Sequence, residues 1–184
     1  MKIVATPLEG CFVIEPAAMR DERGFFMRTF CATTFRTHGL NPAIDQTSFS
    51  FNHKRHTLRG MHFQAPPLME DKLVRVVRGA IFDVAVDIRP GSKTFGQWFG
   101  QELTEDNFLA LYIPQGFAHG FLTLTDDAMV AYQIAQPYQA DLAGGLNWSD
   151  PQVAIRWPRQ PEVISQRDRD LPALKDLALA PATA

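Results

Sequence analysis

The stretch that decides the fold is residues 80–88, which read Ala-Ile-Phe-Asp-Val-Ala-Val-Asp-Ile. Successive side chains of a β-strand point to opposite faces of its sheet. Asp83, Ala85 and Asp87 therefore share one face, and the other face is aliphatic. Two carboxylates that face the interior of a β-structure need polar partners or water. A barrel whose interior holds a polar ligand supplies both.

Short runs with the same two-residue alternation cover most of the chain and are separated by turn residues. The predicted strands are 11–15, 24–29, 46–52, 58–63, 72–77, 80–88, 98–103, 108–113, 120–124 and 128–134. Arg78-Gly79 separates two of them so closely that it predicts a hairpin. Helical patterns occur only near residues 32–38 and 171–179. The pattern predicts an all-β sandwich or barrel with short peripheral helices, in one domain over residues 1–184 with a loose tail from about residue 178.

Composition excludes several classes of protein. The formal net charge is −2 and no basic stripe is present, so we expect no nucleic-acid partner. No apolar run approaches the roughly 18 residues of a membrane span, and the N-terminal residues lack the apolar core of a signal peptide. Cys11 and Cys31 stand in no redox or metal spacing. We therefore expect no membrane association and a cytoplasmic location.

Two stretches place histidines in patterns typical of a site. Residues 57–64 read Thr-Leu-Arg-Gly-Met-His-Phe-Gln, which puts His62 and Gln64 on one strand face. Residues 114–119 form a Pro-x-Gly-x-x-His element that ends at His119 and resembles the second cupin motif, whose histidine can bind a metal. The first cupin motif normally offers His-x-His, and here Gln64 replaces its second histidine. Because glutamine is a poor ligand for first-row metals, we predict a site without metal or other cofactor.

Several blocks in the same order resemble the dTDP-4-dehydrorhamnose 3,5-epimerase family. The likeness runs from about Pro7 to Pro172. The matching blocks are 21–26, 58–64, 72–76, 79–89, 114–121 and the Trp-x-Asp-Pro sequence at 148–151. The resemblance implies a cupin jelly-roll barrel without metal, a homodimer, and a nucleotide-diphosphate 4-keto-6-deoxysugar as substrate.

The resemblance also implies a mechanism that suits the residue types. A proton on a carbon next to a ketone is acidic because its removal gives an enolate, and histidine is the natural base near neutral pH. By similarity His62 is this base and Asp168 orients its ring. Lys72 offers positive charge to the enolate oxygen, and Tyr132 supplies a proton from the opposite face.

The remaining site residues implied by the resemblance bind the substrate. Arg23 and Arg59 suit the diphosphate because guanidinium groups bind phosphate oxygens bidentately. Strand parity sets Arg59 opposite to His62, so both face the ligand only if a bulge intervenes or Arg59 reaches in from the rim. Asp83 is a candidate partner for Lys72. The other substrate-binding candidates are Phe26, Arg28, Gln46, Ser48, His119 and Tyr138.

Two positions depart from the family pattern. Arg28 stands where the family has a glutamate, and Ala143 replaces a second glutamate. Because the family uses both to hold the nucleotide, we hypothesise a different nucleotide, CDP or GDP, or a differently decorated sugar. The sequence leaves open whether C3, C5 or both are inverted. It also leaves open a non-catalytic nucleotide-sugar-binding cupin, against which the intact base and opposing acid argue, and a metal-dependent cupin, against which Gln64 argues.

Overall fold

The computed structural model describes residues 1–179, and strands dominate this part of the chain. The strands are β1 (Lys2–Ala5), β2 (Phe12–Glu15), β3 (Ala18–Asp21), β4 (Gly24–Met27), β5 (Gln46–Asn52), β6 (Thr57–Gln64), β7 (Lys72–Arg78), β8 (Ala80–Asp87), β9 (Trp98–Thr104), β10 (Ala110–Ile113), β11 (Phe117–Thr123), β12 (Ala128–Ile134), β13 (Ala143–Gly145) and β14 (Val163–Ile164). The helices are α1 (Ala32–Thr37) and α2 (Gln166–Arg169), with 3₁₀ turns at Ala140–Leu142 and Leu174–Asp176. None of the described helices is long and apolar enough to cross a membrane.

Two antiparallel sheets pack face to face as a jelly roll, which confirms the predicted all-β barrel. The first sheet has the strand order β1-β2-β10-β7-β12-β5, and the second has the order β13-β6-β11-β8-β9, with β14 parallel to β6. Strands β3 and β4 form a separate hairpin. Both sheets contribute aliphatic and aromatic side chains to the core between them, including Val74 and Val130 from the first and Ala85 and Phe121 from the second. Each fully buried large aliphatic side chain stabilises the fold by about 1.5–3 kcal/mol.

Strand β8 has the two faces that its alternation predicts. Ala85 packs into the core between the sheets, and Val84 and Val86 pack on the opposite face. Asp83 and Asp87 are both fully buried. The Asp87 carboxylate accepts hydrogen bonds from the side chains that follow it in the chain, those of Arg89, Ser92 and Thr94. It therefore holds a turn, whereas Asp83 bonds His119, a residue of the cavity described below.

The predicted hairpin at Arg78-Gly79 is wrong. Strands β7 and β8 belong to different sheets, and the chain crosses from one to the other at Gly79, whose φ of +77° suits glycine. A tight turn dictates that the chain changes direction, and it does not dictate which strand the next one pairs with. The four strands missing from the prediction, β1, β3, β13 and β14, have two to four residues each.

The C-terminal helix was predicted too late in the chain. The predicted helix at 171–179 is a single 3₁₀ turn, Leu174–Asp176, and the helix itself is the preceding α2. The Ser165 hydroxyl caps α2 by accepting a hydrogen bond from the Asp168 amide. Pro172 keeps the chain from continuing as a helix because it lacks an N–H and disfavours helical dihedrals at Leu171. The tail predicted from about residue 178 lies, from residue 180 on, outside the described residues.

Candidate active site

A cavity of about 280 Å³ lies between the two sheets, and six of the twelve predicted site residues line it. The first sheet contributes side chains from β5, β7 and β12, and the second contributes side chains from β6 and β11. The lining residues are Ser48, Ser50, Arg59, His62, Lys72, His119, Phe121, Tyr132 and Ile134. The fold thus joins residues that lie more than 80 positions apart in the chain.

His62 and Asp168 form a hydrogen-bonded pair on one wall. The Nε2 atom of His62 lies 2.7 Å from Oδ1 of Asp168, and the Gly60 amide donates to the second oxygen at 3.1 Å. The Asp168 side chain is 6% exposed, whereas that of His62 is 38% exposed. Burial lowers the pKa of the His62 imidazole below its usual value, and the hydrogen bond and charge of Asp168 partly oppose this effect. At neutral pH the ring is neutral, and with Nε2–H donating to Asp168 the lone pair is on Nδ1.

A β-bulge allows Arg59 and His62 to line the same cavity, which is one of the two arrangements that strand parity left open. On β11, His119 pairs with His62 and Phe121 pairs with Arg59, so Gly60 and Met61 on β6 lie opposite the single residue Gly120 on β11. The bulge includes Gly60, whose φ is +118°. A Cβ atom at Gly60 would lie 2.6 Å from the Cα atom of Gly120. Glycine is required at this position for both its dihedral angle and the close approach of the two strands.

Tyr132 lies on the wall opposite to His62, because β12 belongs to the first sheet and β6 to the second. Burial raises the pKa of its phenol well above the usual value, and the Asp83 carboxylate raises this pKa further. Arg59 has the opposite effect and lowers the pKa of Tyr132. The phenol therefore stays protonated throughout the neutral and mildly alkaline range.

Glu70 pairs with Lys72, and the expected pairing of Lys72 with Asp83 is wrong. The Lys72 Nζ atom lies 2.7 Å from Oε1 of Glu70. Asp83 instead accepts from Nε2 of His119 at 2.7 Å, because β8 and β11 are neighbours in the second sheet. The other oxygen of Asp83 is buried without a hydrogen-bond partner in the described structure. Glu70 and Ser50 are two site residues that were not predicted, although Glu70 stands two positions before Lys72 and Ser50 shares a strand face with Ser48.

The Gln64 side chain forms hydrogen bonds with two separate segments of the chain. Its amide nitrogen donates to the carbonyl oxygens of Leu68 and Pro137, and its oxygen accepts from the Gln139 amide. These bonds tie the loop after β6 to the segment before β13. Within residues 1–179, no three His, Cys, Asp or Glu side chains are grouped so that they could hold a metal ion.

The structure does not bring all of the predicted substrate-binding residues to the cavity. Arg23, Phe26 and Arg28 lie on or directly after the β3–β4 hairpin, where all three are exposed, and Arg23 pairs with Asp21 at 2.6 Å. Tyr138 is also exposed. Gln46 does not line the cavity, but it pairs with Ile134, which does. None of these residues belongs to the lining, although each stays a candidate for contacts with a ligand that extends beyond it.

Comparison with known proteins supports a single family. The family model described as dTDP-4-dehydrorhamnose 3,5-epimerase matches residues 5–176. The dTDP-4-dehydrorhamnose 3,5-epimerase of Methanothermobacter thermautotrophicus is 42% identical over 178 residues, which cover 95% of both chains. The cavity and its polar residues thus occur in a chain that is similar to these enzymes along almost its whole length.

Solved structures give the same result. The dTDP-6-deoxy-D-glucose-3,5-epimerase of Legionella pneumophila, in complex with dTDP-4-keto-L-rhamnose, superposes with a TM-score of 0.93 at 38% identity and covers 100% of this chain and 99% of its own. A 3'-monoepimerase of Streptomyces bikiniensis, in complex with dTDP-quinovose, superposes with a TM-score of 0.87 at 34% identity. The superposition covers 94% of this chain and 87% of the Streptomyces chain. The chain belongs to the dTDP-4-dehydrorhamnose 3,5-epimerase family and is a sugar-nucleotide epimerase, an isomerase.

Proposed function

We propose that the chain inverts both C3 and C5 of a dTDP-linked 4-keto-6-deoxyhexose. The observation that carries this proposal is the position of His62 and Tyr132 on opposite walls of one cavity. Inversion at a carbon needs a proton to leave from one face and another proton to arrive on the other. C3 and C5 both adjoin the C4 ketone, so one base and one acid serve both centres.

Each inversion proceeds in two proton transfers. The Nδ1 atom of His62 takes the proton from the carbon, and the C–H electron pair moves into the enolate, whose oxygen lies at the Lys72 ammonium. The Tyr132 hydroxyl then gives its proton to the carbon from the other face. The resulting imidazolium and phenolate return to their starting states by exchanging protons with solvent. A positioned base contributes about 10²–10⁴-fold, and a charged donor at the developing oxyanion contributes roughly 10²–10³-fold.

The pKa shifts in the site support these roles. A base must be unprotonated before it reacts, and burial lowers the pKa of His62. An acid must keep its proton until the enolate forms, and burial raises the pKa of Tyr132. Environments that push the pKa values of two facing groups in opposite directions are typical of acid–base pairs in enzymes.

The nucleotide we propose is dTDP, and the CDP or GDP hypothesis loses its support. Despite Arg28 and Ala143, on which that hypothesis depended, the chain matches the dTDP-4-dehydrorhamnose 3,5-epimerase family along almost its whole length. The Legionella and Streptomyces relatives are both in complex with dTDP-sugars. Side-by-side kinetics with the dTDP, CDP and GDP forms of one sugar test this choice, and a preference for CDP or GDP would contradict it.

A homodimer accounts for the predicted residues that lie outside the cavity. Its volume of about 280 Å³ is below the range of about 300–1,000 Å³ typical for pockets that enclose a whole ligand. The cavity thus suits the sugar, and the nucleotide extends beyond it. Arg23 and Phe26 are exposed and do not line their own chain's cavity. We propose that they contact the nucleotide in the partner's site.

The outer face of edge strand β5 supports this assembly. Phe49 and Phe51 point away from the barrel, and Phe49 is 71% exposed. Across the sheet they pair with Met129 and Ala131, which extend the apolar surface. An exposed apolar patch beside a free sheet edge is typical of an interaction surface.

Sedimentation velocity tests the homodimer. We expect the wild type to sediment at twice the chain mass of 20.7 kDa. Phe49→Asp, which puts a charge on the patch, is expected to sediment as a monomer with a raised KM. Phe95→Asp changes an exposed phenylalanine in the loop between β8 and β9 and serves as the control that stays dimeric. A monomeric wild type would contradict the proposal.

Deuterium uptake in D₂O tests the activity itself. The substrate is dTDP-4-keto-6-deoxyglucose, and mass spectrometry counts the deuterons that are incorporated. Uptake of two deuterons, lost in His62→Ala, is expected. Uptake of one favours a monoepimerase, the second candidate, which the similarity to the Streptomyces 3'-monoepimerase keeps in view. Absence of uptake, with tight binding of the sugar nucleotide, would favour the non-catalytic binding protein.

A further inference from the structure

The ion pair between Glu70 and Lys72 is nearly buried. The two side chains are 12% and 11% exposed, and 2.7 Å separates the oxygen from the nitrogen. Lys72 begins β7, and alternation along that strand turns it toward the same side as the core residues Val74 and Val76. The carboxylate of Glu70 therefore meets the Lys72 ammonium at the edge of the cavity that Lys72 lines.

The loop that carries Glu70 is fixed on both sides of that residue. On the N-terminal side, the Gln64 amide holds the carbonyl oxygen of Leu68. On the C-terminal side, the buried Asp71 carboxylate accepts from the Tyr112 hydroxyl at 2.8 Å and from the Asn41 amide at 2.8 Å. Neither anchor involves a residue of the cavity lining. Glu70 is thus held in place independently of Lys72.

We propose that Glu70 is a positioning residue that aims the Lys72 ammonium at the enolate oxygen; this inference rests on the role proposed for Lys72. A lysine side chain has a flexible four-carbon stem and a compact ammonium with three N–H donors. Glu70 takes one of these donors and restricts the stem, so two donors at a defined position remain for the substrate. Ordering the ammonium before the substrate arrives removes that entropic cost from the reaction.

Two variants of Glu70 separate position from charge. Glu70→Gln keeps the length of the side chain and an oxygen that accepts from Lys72, but removes the charge. Glu70→Asp keeps the charge and withdraws the carboxylate by about 1.5 Å, one carbon–carbon bond. We expect Glu70→Gln to keep kcat within about twofold of the wild type and Glu70→Asp to lower it roughly 10-fold, with KM little changed in both, because displacements of about 1 Å in a site can cost up to 10²-fold.

A double-mutant cycle and a control complete the experiment. In the Lys72→Met background, Glu70→Asp is expected to change kcat by less than about twofold, since the group that it positions is gone. Glu15→Ala removes the carboxylate of an exposed lysine pair on β2, with Lys2 at 3.3 Å, and is expected to leave kcat unchanged. Thermal unfolding and circular dichroism of every variant verify that each is folded.

The outcomes distinguish this inference from the proposed function. If Lys72→Met is strongly impaired while Glu70→Asp has wild-type kcat, the positioning role is overturned and the proposed function stands. A Glu70→Gln variant that is slower than Glu70→Asp also overturns it, because charge rather than position then matters. If Lys72→Met itself has wild-type kcat, the proposed role of Lys72 fails and the inference fails with it.

Discussion

Asp168→Asn removes the negative charge from the hydrogen-bonded pair of His62 and Asp168 while the shape of the side chain at position 168 is almost unchanged. The carboxylate accepts from two donors at once, Nε2–H of His62 at 2.7 Å and the Gly60 amide at 3.1 Å. An asparagine has one accepting oxygen and one donating nitrogen. If its oxygen faces His62, its nitrogen meets the Gly60 N–H, donor against donor. If its nitrogen faces His62, the ring must carry its proton on Nδ1, and the lone pair that takes the substrate proton is lost.

The size of the effect follows from these two arrangements. In a Ser-His-Asp triad, the same replacement lowers kcat by about 10⁴-fold through the wrong tautomer. Here the first arrangement keeps the right tautomer at the cost of an unpaired buried N–H, which limits the loss. We therefore expect kcat to fall by between about 10² and 10⁴-fold, equivalent to roughly 3–5 kcal/mol in the activation free energy.

The pH dependence moves in a defined direction. In the proposed mechanism neutral His62 is the active form, so kcat/KM is expected to decline as the pH falls through the pKa of its imidazole. Asp168 raises this pKa through its hydrogen bond and its charge. Removing the charge lowers the pKa further, so the acid limb of the kcat/KM profile is expected to shift to lower pH.

Initial rates of deuterium uptake measured across the pH range test both expectations. Asp170→Asn is the matched control, because Asp170 ends the same helix, is exposed, and bonds Gln166 instead of the cavity residues. Its rate and its profile are expected to match those of the wild type. A folded Asp168→Asn enzyme with more than about half of the wild-type rate, or with its acid limb at higher pH, would refute the reasoning.

Three further predictions follow from the site and its bulge. Tyr132→Phe is expected to lower the yield of inverted product, assayed by NMR, at least about 100-fold while deuterium uptake persists, because the proposed base remains and the opposing acid is gone. Parallel loss of inversion and of deuterium uptake would contradict separate roles for His62 and Tyr132. Gly60→Ala is expected to lower the free energy of unfolding, measured in urea, by about 2–4 kcal/mol, because the added Cβ atom meets Gly120 and the dihedral is strained. Gly24 is also at positive φ but has open space around it, so Gly24→Ala is expected to cost only about 1 kcal/mol. Equal costs for the two variants would contradict the steric argument. Arg59→Met is expected to raise KM more than about 10-fold with kcat within threefold, and a selective loss of kcat would argue against its role as a substrate contact.

The strands were predictable because their signal is local. The bounds of β5 and β12 agree with the predicted bounds, and β8 has the two faces that its alternation indicates. Strand parity left two ways for Arg59 and His62 to face one ligand, a bulge or an approach from the rim, and the structure has the bulge, at Gly60. The hairpin at Arg78-Gly79 failed for the opposite reason, since the choice of a partner strand depends on sequence far from the turn.

The Lys72 partner shows the same limit inside the site. Asp83 was the candidate because it faces the barrel interior, and this orientation is correct. Its hydrogen bond goes to His119 because β11 lies next to β8, a fact of strand order and not of residue type. Glu70 holds Lys72 instead, from a loop without periodicity that a sequence pattern can detect.

The all-β class and the two faces of β8 follow from local alternation in the sequence, and the family follows from the order of its motifs. The pairing of Lys72 with Glu70 instead of Asp83, and the placement of β7 and β8 in different sheets, are evident only from the tertiary structure. The reason is that the alternation of apolar and polar residues along a strand indicates only which of its own residues are buried. Which strands pair, and which sheet each joins, depends on the free energy of burying the whole core at once.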